Sequence, residues 1–486
     1  MHRLRALLAW LGVLALACLA TPALAATPPV LADVRVGACS GATVPEGFLG
    51  LSVEWSMVER WAGVGLTRAE RARLPLVEVL RSLRTRSGSG GVLRIGGDSQ
   101  DGYVWSSVAP TAANRLFQGV VSPQMVSAVL DVGRLSGWKV VLGVNLRTGV
   151  TPVALSMARY AAEHDPGHVL AALEVGNEPD AYQPGVATYL QVFDLFARTL
   201  ALDPLTRSVP LWGPALSNGG DLSWVRSLRL AQGARLSEVT WHHYANRPTL
   251  GSLFDPSVSA HWRARIAESR RQAGRVPVRV EESNSVGTGG LQGVSDVTGS
   301  TAWLVDTVLT GASLGLAGYG LHTWDGADYP LERRTAWYTP FVVRDGKASP
   351  RPGFYALALL RDLPGRTFCG VQSALAPGQQ VRTWAVARPA AGALSVVVVD
   401  QAGPGHAGRV RVAVPAGYAP TARVSRLTDP GGCSGRSARI SGAVLPATGT
   451  FREGAGVARA VDGKVLLDLH PCETVRLDLV RAAPRL

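Results

Sequence analysis

The sequence predicts a (β/α)8 barrel carrying an all-β sandwich built from both chain ends. Three observations lead there. Between about residue 45 and residue 325, eight short apolar runs alternate with longer segments of helical apolar spacing. Carboxylates, amides and imidazoles collect just after these runs. Beyond residue 350 the texture changes to short strand-like runs divided by Gly, Pro and Asp turns. In such a barrel the C-terminal ends of the strands converge on one face, where ligands bind.

The 486 residues include 47% hydrophobic and 17% charged side chains, which supplies a core and excludes disorder for the bulk of the chain. Scattered Gly and Pro exclude a collagen-like repeat. The one apolar run of near membrane-spanning length covers 7–19, behind His2, Arg3 and Arg5 and ahead of Ala23-Leu24-Ala25. That is the pattern of a secretory signal at 1–25 cleaved near Ala25. The expected product is secreted and has no stable membrane insertion after cleavage. The net charge of +13 does not describe a nucleic-acid partner, because all but three of the 49 basic residues are Arg, spread without a block of five. Loss of the signal removes Cys18 and leaves Cys39, Cys369, Cys433 and Cys472. Four cysteines in an exported chain predict two disulfides, with three pairings open. None stands in a CxxC pair, and no metal or organic cofactor is expected.

In chain order, 26–44 is expected to give the sandwich an N-terminal strand, at 31–36. The barrel occupies 45–350, with strands at 48–53, 92–95, 140–144, 170–175, 211–216, 238–244, 276–280 and 318–322. Helical patterns at 68–84, 124–135, 189–202, 261–271 and 301–313 fall between them. The sandwich domain occupies 351–486, with strands at 381–386, 394–399, 410–414, 422–427, 465–469 and 475–480.

The strongest local signal is Leu173-Glu174-Val175-Gly176-Asn177-Glu178-Pro179, a strand running into an amide and a carboxylate at the barrel rim. Glycoside hydrolysis needs two carboxyl groups flanking the scissile bond, one of them holding a proton. Glu178 is the candidate proton donor; its structural alternative is a helix-starting glutamate, since Asn177 and Pro179 also suit a helix start. Glu282 lies three βα units later, at the end of strand seven, and is the candidate nucleophile. Glu281 is the alternative, because alternation along a strand would point only one of the two into the barrel. Retention requires the two carboxyl groups to lie about 5–5.5 Å apart.

Together these residues resemble the retaining (β/α)8 glycosidases and, more specifically, glycoside hydrolase family 79, the β-glucuronidase and heparanase family. The matching stretches are Phe48-Leu49-Gly50-Leu51-Ser52-Val53-Glu54, Leu93-Arg94-Ile95-Gly96-Gly97-Asp98, 173–179, Thr240-Trp241-His242-His243-Tyr244 and Glu282-Ser283-Asn284-Ser285. The resemblance implies a barrel with a two-ended sandwich, Glu178 as acid/base and Glu282 as nucleophile. It implies Asn177 on the sugar 2-hydroxyl and Tyr244, on one face with His242, donating to the nucleophile. Glu54, Asp98, Gly289, His322 and Tyr329 would bind substrate. Arg94 would pair with Glu282 or anchor the barrel interior, and His243 would face the helices. The family binds the uronate carboxylate through a tyrosine in the glycine-rich loop after the nucleophile; here that loop, Val286-Gly287-Thr288-Gly289-Gly290, has none. The reading is a secreted retaining β-glycosidase with a carbohydrate partner, acting on β-glucuronides or other uronic-acid-containing glycans. The alternatives are a neutral sugar on the same fold, and a non-catalytic glycan-binding protein.

Overall fold

The structure is a computed structural model and describes residues 29–108, 117–165, 167–325, 335–403 and 407–482. The segment 1–25, expected to be a secretory signal, and Tyr329 lie outside the described residues.

Eight parallel strands close a barrel: Leu49–Glu54, Val92–Gly96, Lys139–Val144, Leu170–Val175, Leu211–Leu216, Leu236–Tyr244, Val278–Asn284 and Gly318–Thr323. They pair in sequence order, and the eighth pairs the first. Helices cover the outer face, so the strands are buried on both sides and read as apolar runs rather than as alternation. The first long covering helix, Pro123–Ser136, shows how the local signals work. Ser122 caps it by accepting from the Met125 N–H, and Gly137 ends it in a left-handed conformation.

Two expectations are corrected. The helical pattern at 68–84 is two helices, Arg68–Arg71 and Pro75–Ser82. Pro75 has no N–H to continue a helix and opens the second one instead. Strand seven does not end at 280; it runs through the polar residues to Asn284. Its register against strand six shifts between Val280 and Glu282, which makes Glu281 the extra residue of a bulge. Strand eight accommodates the bulge with Gly320, where a Cβ would meet the Glu281 carbonyl oxygen at 2.1 Å.

Two sheets form the sandwich. One contains Val371–Leu375, Val30–Val36, Gly408–Ala413 and Lys464–Leu469; the other is centred on Val381–Arg388, Ala393–Asp400, Thr474–Arg481 and Tyr418–Thr428. Val30–Val36 lies between Val371–Leu375 and Gly408–Ala413, so the N-terminal segment completes a sheet whose other strands come from the C-terminal part. Leu31 and Val34 pack with Val396, Val410 and Leu477 in a core separate from that of the barrel. Helix Pro352–Leu360 packs on barrel helix Gly299–Ser313. The disulfides are Cys39–Cys369 and Cys433–Cys472. Among the described residues, no helix is long and apolar enough to cross a membrane.

Candidate active site

The strand C-termini surround a cleft of about 290 Å³. Glu178, just past strand four, adopts φ 47° and ψ 50°, a left-handed conformation that costs a non-glycine residue about 1–3 kcal/mol. Its N–H donates to the Ala215 carbonyl at 2.9 Å. A short turn, Pro179–Ala181, follows, but the Glu178 side chain does not cap it; it meets His242 Nδ1 at 2.7 Å. Glu282 enters from strand seven, nearly buried. Arg94 Nη1 donates to it at 2.8 Å and the Tyr244 hydroxyl donates to its other oxygen at 2.8 Å.

Burial alone would raise the Glu282 carboxyl. The charges of His242, His322 and Arg94, with the Tyr244 hydrogen bond, outweigh that and hold it well below the usual carboxylate range. Arg94 fills both of its expected places. Besides Glu282, it donates to Glu174 at 2.7 Å, Ser52 Oγ at 3.0 Å and Asn177 Oδ1 at 2.8 Å. Those bonds fix the Asn177 amide with its NH2 toward Asp98, 3.5 Å away.

His242 and His243 are neighbours with opposite surroundings. His242 points into the barrel, where burial pulls it down but Glu282, Glu178 and Glu281 more than reverse the effect and raise it well above the usual imidazole value. Its Nε2 lies 3.1 Å from Glu281 Oε1, off the hydrogen-bonding direction. His243 stacks on Trp262 outside the barrel, with ring centroids 4.2 Å apart, and burial pushes it down to about 3. The expectation that alternation would send only one of Glu281 and Glu282 inward is therefore corrected. The bulge breaks the alternation, so both approach His242. Glu281 lies beneath the cleft, not in its lining, and burial followed by the charge of Glu174 pushes its carboxyl up to about 7.

Glu54 accepts from the backbone N–H groups of Asp98 and Ser99 at 3.1 and 2.9 Å and lies 3.3 Å from His322 Nε2. Gly97 makes that possible: its φ is +71°, and a Cβ there would meet Glu54 Oε1 at 2.1 Å. Asp98 keeps an accessible edge toward the cleft. The protein packed around it, and then the negative charge of Glu54, push it up to about 7; a ligand in the cleft would complete the burial. Gly289 lines the cleft with Gly287 and Thr288.

Sequence reasoning missed Ser217, Asn218, Asn246, Trp324 and Tyr338, which also line the cleft. Ser217-Asn218 directly follow strand five, so the same rule that found the other strand ends could have found them. Tyr338 comes from a loop well beyond strand eight, and no spacing points to it. It stands 6.3 Å from the Tyr244 ring and 5.8 Å from His322, between centroids.

A carboxylate oxygen from each of Glu178 and Glu282 and a ring nitrogen of His242 all lie within 4.8 Å of one another, a spacing that could also suit a cation. Here those atoms already have partners: His242 Nδ1 meets Glu178, and the two Glu282 oxygens accept from Arg94 and Tyr244.

No protein-family model matches the chain, and no curated protein sequence does. Solved structures of similar fold exist at low identity. A 4-O-α-L-rhamnosyl-β-D-glucuronidase from Fusarium oxysporum, in a Rha-GlcA complex, is 17% identical with a TM-score of 0.67, over 92% of this chain and 99% of that one. An arabinofuranosidase of glycoside hydrolase family 51 from Xanthomonas axonopodis pv. citri is 14% identical with a TM-score of 0.64, over 93% and 100%. An α-L-arabinofuranosidase from Thermotoga maritima, in complex with arabinose, is 13% identical with a TM-score of 0.64, over 93% and 100%. At these identities the likeness is one of fold.

Proposed function

We propose that this chain is an exported retaining glycoside hydrolase that cleaves β-glucuronides or other uronic-acid-containing glycans. The observation that carries the reading is the pair of carboxylates on strands four and seven, with oxygens within 4.8 Å of each other across the cleft. With one oxygen of each so close, the pair suits direct attack on the anomeric carbon, as in a retaining enzyme. A Glu282 oxygen, kept ionised by Arg94, Tyr244 and the two histidines, bonds to the anomeric carbon. The glycosidic C–O bond breaks, and its oxygen takes the proton held by the hydrogen-bonded Glu178–His242 pair. Water then attacks the glycosyl ester, gives a proton back to Glu178, and releases Glu282. Asn177, aligned by Arg94, hydrogen-bonds the sugar 2-hydroxyl, while Glu54, Asp98 and His322 hold the remaining hydroxyls.

The glucuronide assignment draws on the family resemblance and on the glucuronidase among the structures of similar fold. A neutral glycone is the second reading. It is favoured by the cleft itself, whose described lining has four carboxylates and no Lys or Arg, and by the arabinofuranosidases of similar fold. Hydrolysis of p-nitrophenyl β-D-glucuronide, beside the β-glucoside, β-galactoside, β-xyloside and α-L-arabinofuranoside, decides between them. Glucuronide turnover lost in Glu282→Gln is the expected result. Turnover of only a neutral glycoside overturns the glucuronide assignment, and turnover that survives Glu282→Gln overturns the nucleophile.

A further inference from the structure

Residues 335–338 form a wall with two faces. Tyr338 lines the cleft, and its neighbour Trp337 lines a second cavity of about 350 Å³. The N–H groups of both aromatic residues point to the Gly289 carbonyl, at 2.6 Å from Trp337 and 3.3 Å from Tyr338. From the far side, Arg351 Nη1 donates to the carbonyls of Ala336 and Trp337 at 2.5 and 3.3 Å.

The second cavity has a charge balance opposite to that of the cleft. Arg344, Arg351 and Arg436 line it with a single carboxylate, Asp296, which is bridged to Arg436 at 2.6 Å. Arg351 Nη1 is spent on carbonyls, and the carboxylates that act on this guanidinium, Asp296 and Asp325, do so without a direct ion pair. Burial lowers its pKa, Asp296 and Asp325 oppose that, and the positive charges of Arg344 and Arg436 lower it, which places the three guanidinium groups within electrostatic reach of one another. The Arg344 side chain is exposed and has no hydrogen-bond or ion-pair partner among the described residues. The first residue of the nine-residue helix Pro352–Leu360 adds the positive end of a helix dipole. Half-buried Trp337 supplies a flat ring of the kind that packs on a sugar face.

We infer that this cavity binds an anionic unit of a glycan, a carboxylate or a sulfate ester, while another part of the same chain occupies the cleft. The glycan part of the inference rests on the glycosidase reading; the preference for an anion rests on the arginines alone. A guanidinium fork matches both oxyanions and is favoured wherever planar anions are held. The arrangement also sets guanidinium charge beside a cleft whose described lining has no Lys or Arg. Charge compensation here lies one wall away, behind Trp337.

Calorimetric binding to the inactive mature Glu282→Gln protein tests this. The probes are a hexasaccharide of alternating glucuronic acid and N-acetylglucosamine and its carboxyl-reduced counterpart. Adding Arg344→Glu should weaken the acidic hexasaccharide about tenfold or more, leave the reduced one unchanged, and leave the unfolding midpoint unchanged. Arg344→Lys should recover much of the loss. A sulfated, carboxylate-free hexasaccharide run alongside identifies which oxyanion is held. No binding of either anionic probe, or equal binding with and without Arg344→Glu, overturns the inference. If the parent protein cleaves no glycoside while charge-dependent binding persists, the glycosidase reading fails and the anion site stands.

Discussion

Arg94 and Arg476 are both almost fully buried and both held by carboxylates, the first at the barrel axis and the second where the sandwich meets helix Pro352–Leu360. Around Arg476 the cations are in excess: Arg476, Arg86, Arg361 and Arg366 face Glu453, Asp478 and Asp362. Glu453 is shared by Arg476 at 2.7 Å, Arg86 at 3.0 Å and Arg361 at 3.7 Å. Burial would raise Asp478 there, but Arg476, Ser395 and Arg366 bring it below its ordinary value. Around Arg94 the acids are in excess. Arg94 satisfies Glu174 and Glu282, while Glu281 and Asp98 are pushed up to about 7. The same residue types therefore behave differently according to which sign is in the minority. With cations in excess Asp478 is held below its ordinary value and the ion pairs lock two layers together. With acids in excess some carboxyls titrate near neutral pH, a property suited to proton transfer.

The contrast is most easily broken by exchanging the effects of the two clusters. Glu178→Gln should lower the turnover of a glycoside with a poor leaving group by about 10²–10⁴-fold while the unfolding midpoint stays near that of the parent. Steady-state rates beside a thermal melt check this; a large drop in the midpoint would make Glu178 a structural residue. Glu453→Gln should do the reverse. It leaves Arg476, Arg361 and Arg86 without their shared counter-charge and should cost about 3 kcal/mol in urea unfolding, with turnover per folded molecule unaltered.

A pH series sharpens the comparison. Glu281 titrates at about 7 in the folded chain, above the ordinary carboxylate value of about 4.3. Its stabilising contribution is therefore complete below that ordinary value and is lost as pH rises through 7. Glu281→Gln should flatten the decline in unfolding free energy between pH 5 and pH 8 by about 1–3 kcal/mol. Identical slopes in parent and variant would show that Glu281 carries no such proton. The smallest effect is expected at His243, whose ring is neutral and stacked on Trp262. His243→Phe should change stability by less than about 1.5 kcal/mol and leave activity nearly intact; a loss of activity comparable to that of Glu178→Gln would contradict its placement outside the barrel.

The parts of this site that were legible in the sequence are those carried by strand ends. Asn177-Glu178-Pro179, Glu54, Asp98, His242 and Tyr244 follow or finish apolar runs, and the barrel converts that linear rule into a common location. The bulge was not legible. Glu281 and Glu282 read as alternating neighbours, and only the register against strand six shows the extra residue between them. Tyr338 was invisible for a different reason: its place depends on a loop held by the Gly289 carbonyl and by Arg351, contacts that no local pattern encodes. The disulfide pairing likewise had to wait for the fold, because spacing alone left three choices.

The position of Val30–Val36 also sets an order of assembly. Its sheet partners are Val371–Leu375 and Gly408–Ala413, and the adjoining Cys39 is 330 residues from Cys369. This strand precedes the entire barrel in the chain and must wait for partners made after the barrel. Barrel pairing is sequential apart from its closure, so the barrel can be complete while the sandwich still lacks most of its strands. A chain arrested before residue 371 would present a finished barrel with an orphan strand, the kind of open edge onto which neighbouring chains add.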